Sequence, residues 1–88
     1  MLITVRYFAQ AAVATGCGEE AFESATLGAL LQAIHDRHGD RIHEVICDTE
    51  GALVPWIIVD RNGQAIRSPE ETLHDGDEVR FLSPISGG

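Results

Sequence analysis

Lysine is missing from this 88-residue chain, and with it the side chain that a Walker A phosphate loop or a Schiff-base enzyme requires. That absence argues against ATP chemistry carried out by the chain itself. It also leaves the Met1 amine as the sole primary amine, which excludes lysine-linked chains of the protein on itself. Positive charge is scarce altogether. Six arginines face 14 acidic residues for a net charge of −8, and His35, His38, His43 and His74 do not reverse that sign near neutral pH. Such a surface repels phosphates and anionic lipids, which disfavours nucleic acid and membrane as partners, and steers the chain toward a basic face on another protein. Thiols are equally sparse. Cys17 and Cys47 stand far apart with no C-x-x-C spacing, so both are expected to be reduced. No apolar run approaches membrane-spanning length. Met1 to Gly16 is rich in apolar residues, but it lacks a basic leading segment and Arg6 interrupts it, against a signal peptide. A cytoplasmic location is expected.

With 44% hydrophobic and 23% charged residues and no internal repeat, the chain has the composition of one small globular domain. Ile3, Val5 and Tyr7 alternate with Thr4 and Arg6, which predicts a half-buried strand from the first residues. Ala9 to Gly18 reads as a long turn leading to a return strand at Glu19 to Phe22. Leu27, Leu30, Leu31 and Ile34 make one apolar helical stripe, with Thr26 placed to cap it and Gly39 to end it. Gly28, early in that helix, costs up to about 1 kcal/mol relative to alanine. Ile42 to Cys47 suits a short helical turn. Trp56 to Val59 is β-prone and starts just after Pro55, and Asn62-Gly63 suits a type I′ turn to a return strand at Gln64 to Arg67. Ser68-Pro69-Glu70-Glu71 has the cap, proline and glutamate of a short helical turn. His74 to Asp77 is a polar turn, followed by a strand from Glu78 to Ser83 with Val79 and Phe81 on one face. One helix covering one face of a mixed sheet is an α+β arrangement.

Three segments in order, Val5-Arg6-Tyr7-Phe8-Ala9-Gln10, Asp75-Gly76-Asp77-Glu78-Val79 and Ser83-Pro84-Ile85-Ser86-Gly87-Gly88, together resemble the MoaD family. These are the small subunits of molybdopterin synthase, within the ubiquitin-like MoaD/ThiS sulfur carriers, and the resemblance covers essentially the whole chain. It implies a β-grasp domain over residues 1–83 with the first and last strands as parallel neighbours in mid-sheet, and a flexible tail over residues 84–88. It also implies that Gly88 is the reacting residue. A ubiquitin-activating-like, MoeB-type enzyme would adenylate its carboxylate with ATP, sulfur would replace AMP to give a thiocarboxylate, and a MoaE-type large subunit would use that sulfur on a pyranopterin. The chain itself would bind no cofactor and supply no catalytic side chain. Pro84, Ile85, Ser86 and Gly87 would enter the partner's active site. Phe8 and Leu82, neighbours if the first and last strands pair as in the family, are the candidate docking patch. The family usually has two prolines before the tail; here Ser83 precedes the single Pro84, which implies a less stiff tail. Carriers for thiamine, cysteine and tRNA thiolation share the fold and the Gly-Gly end, as do protein modifiers that join the last glycine to lysines, and an inert ubiquitin-like adaptor is a further alternative.

The remaining constellations favour plainer readings. His35 and His38, three apart on the helix, could face one metal with His43 or Cys47, but that spacing matches no common zinc pattern, and a solvated helix face is expected instead. No metal site is assigned. Cys47 is expected to be a small buried hydrophobe rather than a nucleophile partnered by His43. Asp75, Asp77 and Glu78 lack the spacing of a calcium loop and read as a turn. Trp56 is expected to pack in the sheet.

Overall fold

The computed structural model describes residues 1–83. The stretch assigned as the tail, Pro84 to Gly88, lies outside the described residues. In chain order the elements are β1 (Leu2–Phe8), α1 (Gln10–Thr15), β2 (Glu19–Glu23), α2 (Leu27–His38), α3 (Asp40–Ile46), β3 (Ile58–Arg61), β4 (Gln64–Ile66) and β5 (Glu78–Leu82). The sheet order is β2-β1-β5-β3-β4, with β1 and β5 parallel and the other neighbours antiparallel. This is the β-grasp arrangement, with the last strand threaded into the middle of the sheet.

Alternation decides which face each strand buries. Ile3, Val5, Tyr7, Phe22, Val59, Ile66, Val79 and Phe81 all point inward and are buried. The α2 stripe of Leu27, Leu30, Leu31 and Ile34 closes over them, joined by Ile42 and Ile46 of α3. Thr26 caps α2 as expected, its hydroxyl accepting from the Ala29 amide at 3.1 Å. Gly39 ends the helix at φ +85°, a backbone state that any side chain would resist. That left-handed residue lets a second helix begin at once. The segment expected to give a single turn is therefore the full helix α3, with Asp40 in its first turn favourably placed against the helix dipole.

Four expectations are corrected. The long turn after β1 contains α1, a six-residue helix ended by Gly16 at φ +74° and packed through the fully buried Ala11. Ser68 to Glu71 forms one turn rather than a helical turn. Its closing bond runs from the Glu71 amide to the Ser68 carbonyl at 3.0 Å, and Thr72 then pairs with Thr26, which draws the chain out straight. That turn also explains Gly28. The Gly28 amide donates to the Pro69 carbonyl at 2.8 Å, and a Cβ at position 28 would stand 3.1 Å from that oxygen. The helix accepts its least favourable common residue because another backbone lies against it. Finally, β3 starts at Ile58, not just after Pro55. The Ile57 amide donates to the Val54 carbonyl across a turn at 3.2 Å, and Trp56, at the corner of that turn, is 61% exposed instead of packed in the sheet. Arg67 holds this corner by donating to the carbonyls of Leu53, Val54 and Ile57.

Candidate functional site

The parallel register of β1 and β5 places Phe8 directly beside Leu82, and the antiparallel register of β3 places Ile58 on Leu82's other side. Each side chain points away from the helices, so the three form one apolar row across the ends of three strands. Phe8 and Leu82 are half-buried, and Ile58 is 57% exposed. Ile58 belongs to this row although the sequence marked only Phe8 and Leu82. The strand phase that buries Ile57 and Val59 was the signal that would have found it.

One rung along the strands the row gives way to charge. Arg6 and Asp60 flank Arg80. The Arg80 guanidinium grips Asp60 with two bonds of 2.9 and 2.6 Å, and Arg6 lies over the Phe8 ring at 5.7 Å while pairing with Glu19 and Glu78. The paired fork geometry fixes the Arg80 side chain flat along the sheet. An apolar strip with a charged border on one side is the anatomy of a docking surface.

Ser83 closes β5 and is the last described residue before the assigned tail. Its hydroxyl accepts from the Gln10 amide at 3.0 Å and donates to the Phe8 carbonyl at 3.3 Å. Between those two groups lies Ala9, whose φ of +52° is unusual for a residue with a Cβ. Ser83 thus spans the kink that turns β1 into α1. Where the family pattern leads to an expectation of proline, this chain fixes the root of its last segment with two hydrogen bonds.

At the opposite end of β5, Asp77 is buried and accepts from Arg61 Nε at 2.7 Å, Asn62 Nδ2 at 2.8 Å and the His74 amide at 2.8 Å. Burial alone would push this carboxyl up. The three donors and the Arg61 charge outweigh it and hold the group at about 2. The Asp75 to Glu78 cluster is the expected turn, with Gly76 at φ +88°, and Asp77 ties it to the β3–β4 hairpin.

The histidines part company. His35 stacks on His43 with ring centroids 4.2 Å apart and lies 2.7 Å from Asp40 Oδ1, whereas His38 turns the other way toward Glu20. His38 is therefore not on a solvated face as expected. It is part of a half-buried hub in which Glu20 also accepts from the Tyr7 hydroxyl at 2.6 Å and from Arg37 at 3.1 Å. Burial and the Glu20 hydrogen bond both push the Tyr7 phenol up, while the donors around Glu20 overcome its desolvation and hold its carboxyl down. Cys17, Glu20 and His38 bring sulfur, oxygen and nitrogen within 4.8 Å of one another, a grouping the sequence hid because its members are scattered. The Arg37 guanidinium on the same carboxylate opposes a cation there. Cys47 is buried, and its thiol is pushed up by burial and by the nearby Asp48 charge, as a packing residue rather than a nucleophile.

The family model described as the ThiS family matches residues 5–88. This chain belongs to the ThiS family. Among solved structures, SAMP1 of Haloferax volcanii is 28% identical with a TM-score of 0.89, covering 100% of both chains. A putative molybdopterin converting factor, subunit 1, of Pyrococcus furiosus is 27% identical with a TM-score of 0.76 over 97% of this chain and 99% of that one. CysO of Amycolatopsis orientalis, solved in complex with BexX, is 25% identical with a TM-score of 0.75 over 98% and 99%. Among curated proteins none matches this sequence. The ThiS-family chain is thus a ubiquitin-like sulfur-carrier fold whose relatives include MoaD-like, CysO and modifier proteins. Among the described residues no helix is long and apolar enough to cross a membrane.

Proposed function

We propose that this protein is a sulfur carrier for molybdopterin synthesis, in which the Gly88 carboxylate is activated and converted to a thiocarboxylate. The observation that supports the carrier step is the position of β5, and the likeness to a putative molybdopterin converting factor of Pyrococcus furiosus supports the choice of product. The central strand ends at Leu82, within the Phe8, Leu82 and Ile58 row, and Ser83 follows it, so a partner seated on the row would lie where residues 84–88 begin. A carboxylate resists attack because resonance and charge both oppose it. An adenylating enzyme of the MoeB type would transfer AMP from ATP with loss of pyrophosphate, and a sulfide-level sulfur nucleophile would then displace AMP at the carbonyl to leave the thiocarboxylate. A MoaE-type large subunit would accept the sulfur onto a pyranopterin, with the carboxylate restored by water.

Five extended residues reach about 17 Å, enough to enter an active site while the body stays outside. Ordering them costs roughly 1 to 2 kcal/mol each in backbone entropy, so binding energy must come from the body. Glycines at 87 and 88 carry no Cβ and allow close approach to an active-site wall.

A second reading is a protein modifier, favoured by the likeness to SAMP1, described as a small archaeal modifier protein. One assay separates the two. The thiocarboxylate form mixed with a pyranopterin-bound large synthase subunit is expected to yield the dithiolene. Failure to do so, together with recovery of Gly88 in isopeptide linkage to target lysines, would replace the carrier reading with the modifier reading.

A further inference from the structure

Among the described residues Trp56 is the one large aromatic side chain held in the open, and it stands beside a cleft of about 530 Å³ between α3 and the loop that follows it. The cleft is lined by Asp40, Glu44 and Asp48 on its rim, with His43, Val54 and the buried Cys47 behind. Trp56 and Glu44 also wall a second, smaller depression of about 210 Å³ that runs to Gln10 and Ser83, the root of the last segment. The two therefore form a ridge between an acidic cleft and the end of β5.

The charges around this ridge are unequal. Among the described residues, Arg6, Arg37, Arg61 and Arg80 make ion pairs with Glu19, Glu20, Asp77 and Asp60 respectively, and Arg67 is spent on backbone carbonyls. None of these cations reaches Glu44 or Asp48, and Arg41 does not line the cleft. Asp40 has only His35. Carboxylates around an exposed indole form a cage for a planar cation, which stacks on the ring while its edges meet the oxygens.

We propose that the Trp56 cleft receives an arginine side chain of the protein that docks on the Phe8, Leu82 and Ile58 row. The assignment rests on the docking reading above and extends it by naming a second point of attachment. Charge complementarity argues for the occupant, since a chain of net charge −8 without lysine attracts a basic face, and a guanidinium suits both an exposed indole face and carboxylate oxygens. An anchor on this ridge, one step from Ser83, would fix the rotation of the body about the tail's origin. An apolar strip alone leaves that angle loose.

The test uses the full chain and a small probe, so it does not depend on any partner. Because Trp56 is the sole tryptophan, its indole N–H is a single resolved signal in a nitrogen-edited NMR spectrum. Titration with N-acetyl-arginine methylamide is expected to shift that signal and the α3 amides along one saturable curve. The neutral citrulline analogue should leave them in place, and the lysine analogue should bind several-fold more weakly. Glu44→Gln, at an exposed side chain that makes no hydrogen bond or ion pair among the described residues, should weaken arginine binding at least threefold, and Trp56→Leu should abolish the saturable response at the α3 amides. Equal shifts from citrulline, equal affinity for lysine, or non-saturating shifts spread over the whole acidic surface would overturn the proposal. Should Phe8→Ala with Leu82→Ala leave binding to the large synthase subunit unchanged while the arginine probe still saturates, the docking row fails and the cleft stands.

Discussion

Replacing Asp77 with asparagine should destabilise the fold by about 2 kcal/mol at neutral pH, although the two side chains have nearly the same shape. The reason is donor counting. Asp77 accepts three hydrogen bonds, two of them on Oδ2 from Arg61 and the His74 amide, and one on Oδ1 from Asn62 Nδ2. An amide has one acceptor oxygen. If it serves Arg61 and His74, its NH2 group faces the NH2 of Asn62. Asn62 cannot turn over to relieve that opposition, because its Oδ1 already accepts from the Glu78 amide at 2.9 Å. The pH dependence gives a second estimate. Lowering a carboxyl from 3.8 to about 2 corresponds to about 2.5 kcal/mol before solvent screening, and to about 1 to 2 kcal/mol after it. Because the folded value lies below the unfolded one, this stability is fully present above about pH 4 and is lost as the pH falls through 2. Thermal unfolding followed by circular dichroism at pH 7 should therefore show Asp77→Asn about 8 to 16 °C below the parent chain. The gap should narrow between pH 4 and pH 2. A variant as stable as the parent at pH 7, or a gap constant down to pH 2, would refute the assignment of Asp77 as the tie between β5 and the hairpin.

Truncating the docking row with Phe8→Ala and Leu82→Ala should weaken binding to the large synthase subunit about tenfold per side chain, measured by calorimetry, while the far-ultraviolet spectrum of the chain stays unchanged. Gly88→Ala should slow thiocarboxylate formation by the activating enzyme on the order of a hundredfold, read by intact mass, because a methyl beside the attacked carbonyl displaces it by about 1 Å. Ser83→Ala should remove about 1 kcal/mol of stability and speed hydrogen exchange at the Gln10 amide, which then loses its acceptor. An unchanged exchange rate there would remove Ser83 from its role at the root.

The parts of the fold that were legible in the sequence are those where periodicity and a local signal agree. The α2 stripe and its Thr26 cap are one case, and the Asn62-Gly63 turn is another, with φ of +52° and +88° at its two residues. Helix α1 was hidden because six residues, half of them alanine, are too few to show a helical repeat. Trp56 was misplaced because β-propensity describes a residue's fit to a pleated surface and says nothing of the Val54 to Ile57 turn that lifts it off the sheet. Gly28 was charged as a cost because its neighbour, the Pro69 carbonyl, comes from a segment far along the chain. The same distance concealed the Glu20 and Asp77 hubs, whose partners meet only once the sheet has formed. Phe8 and Leu82 could be paired in advance only through the family resemblance, since nothing in local sequence dictates that the first and last strands run side by side.

That pairing has a mechanical consequence for a carrier. β5 is bonded on both sides, to β1 and to β3, so Ser83 follows directly on the central strand of the sheet. The docking row is drawn from the same three strands, and Ser83 is also hydrogen-bonded to Phe8 and Gln10. The surface that a partner would grip and the point from which the last five residues depart are therefore parts of one rigid unit. In the proposed carrier, a partner that fixes the row fixes that origin as well. A long flexible linker between body and tail would raise the ordering cost at every added residue and leave the reacting carbonyl free to miss its target. In the proposed carrier, a tail that follows directly on the central strand would avoid both.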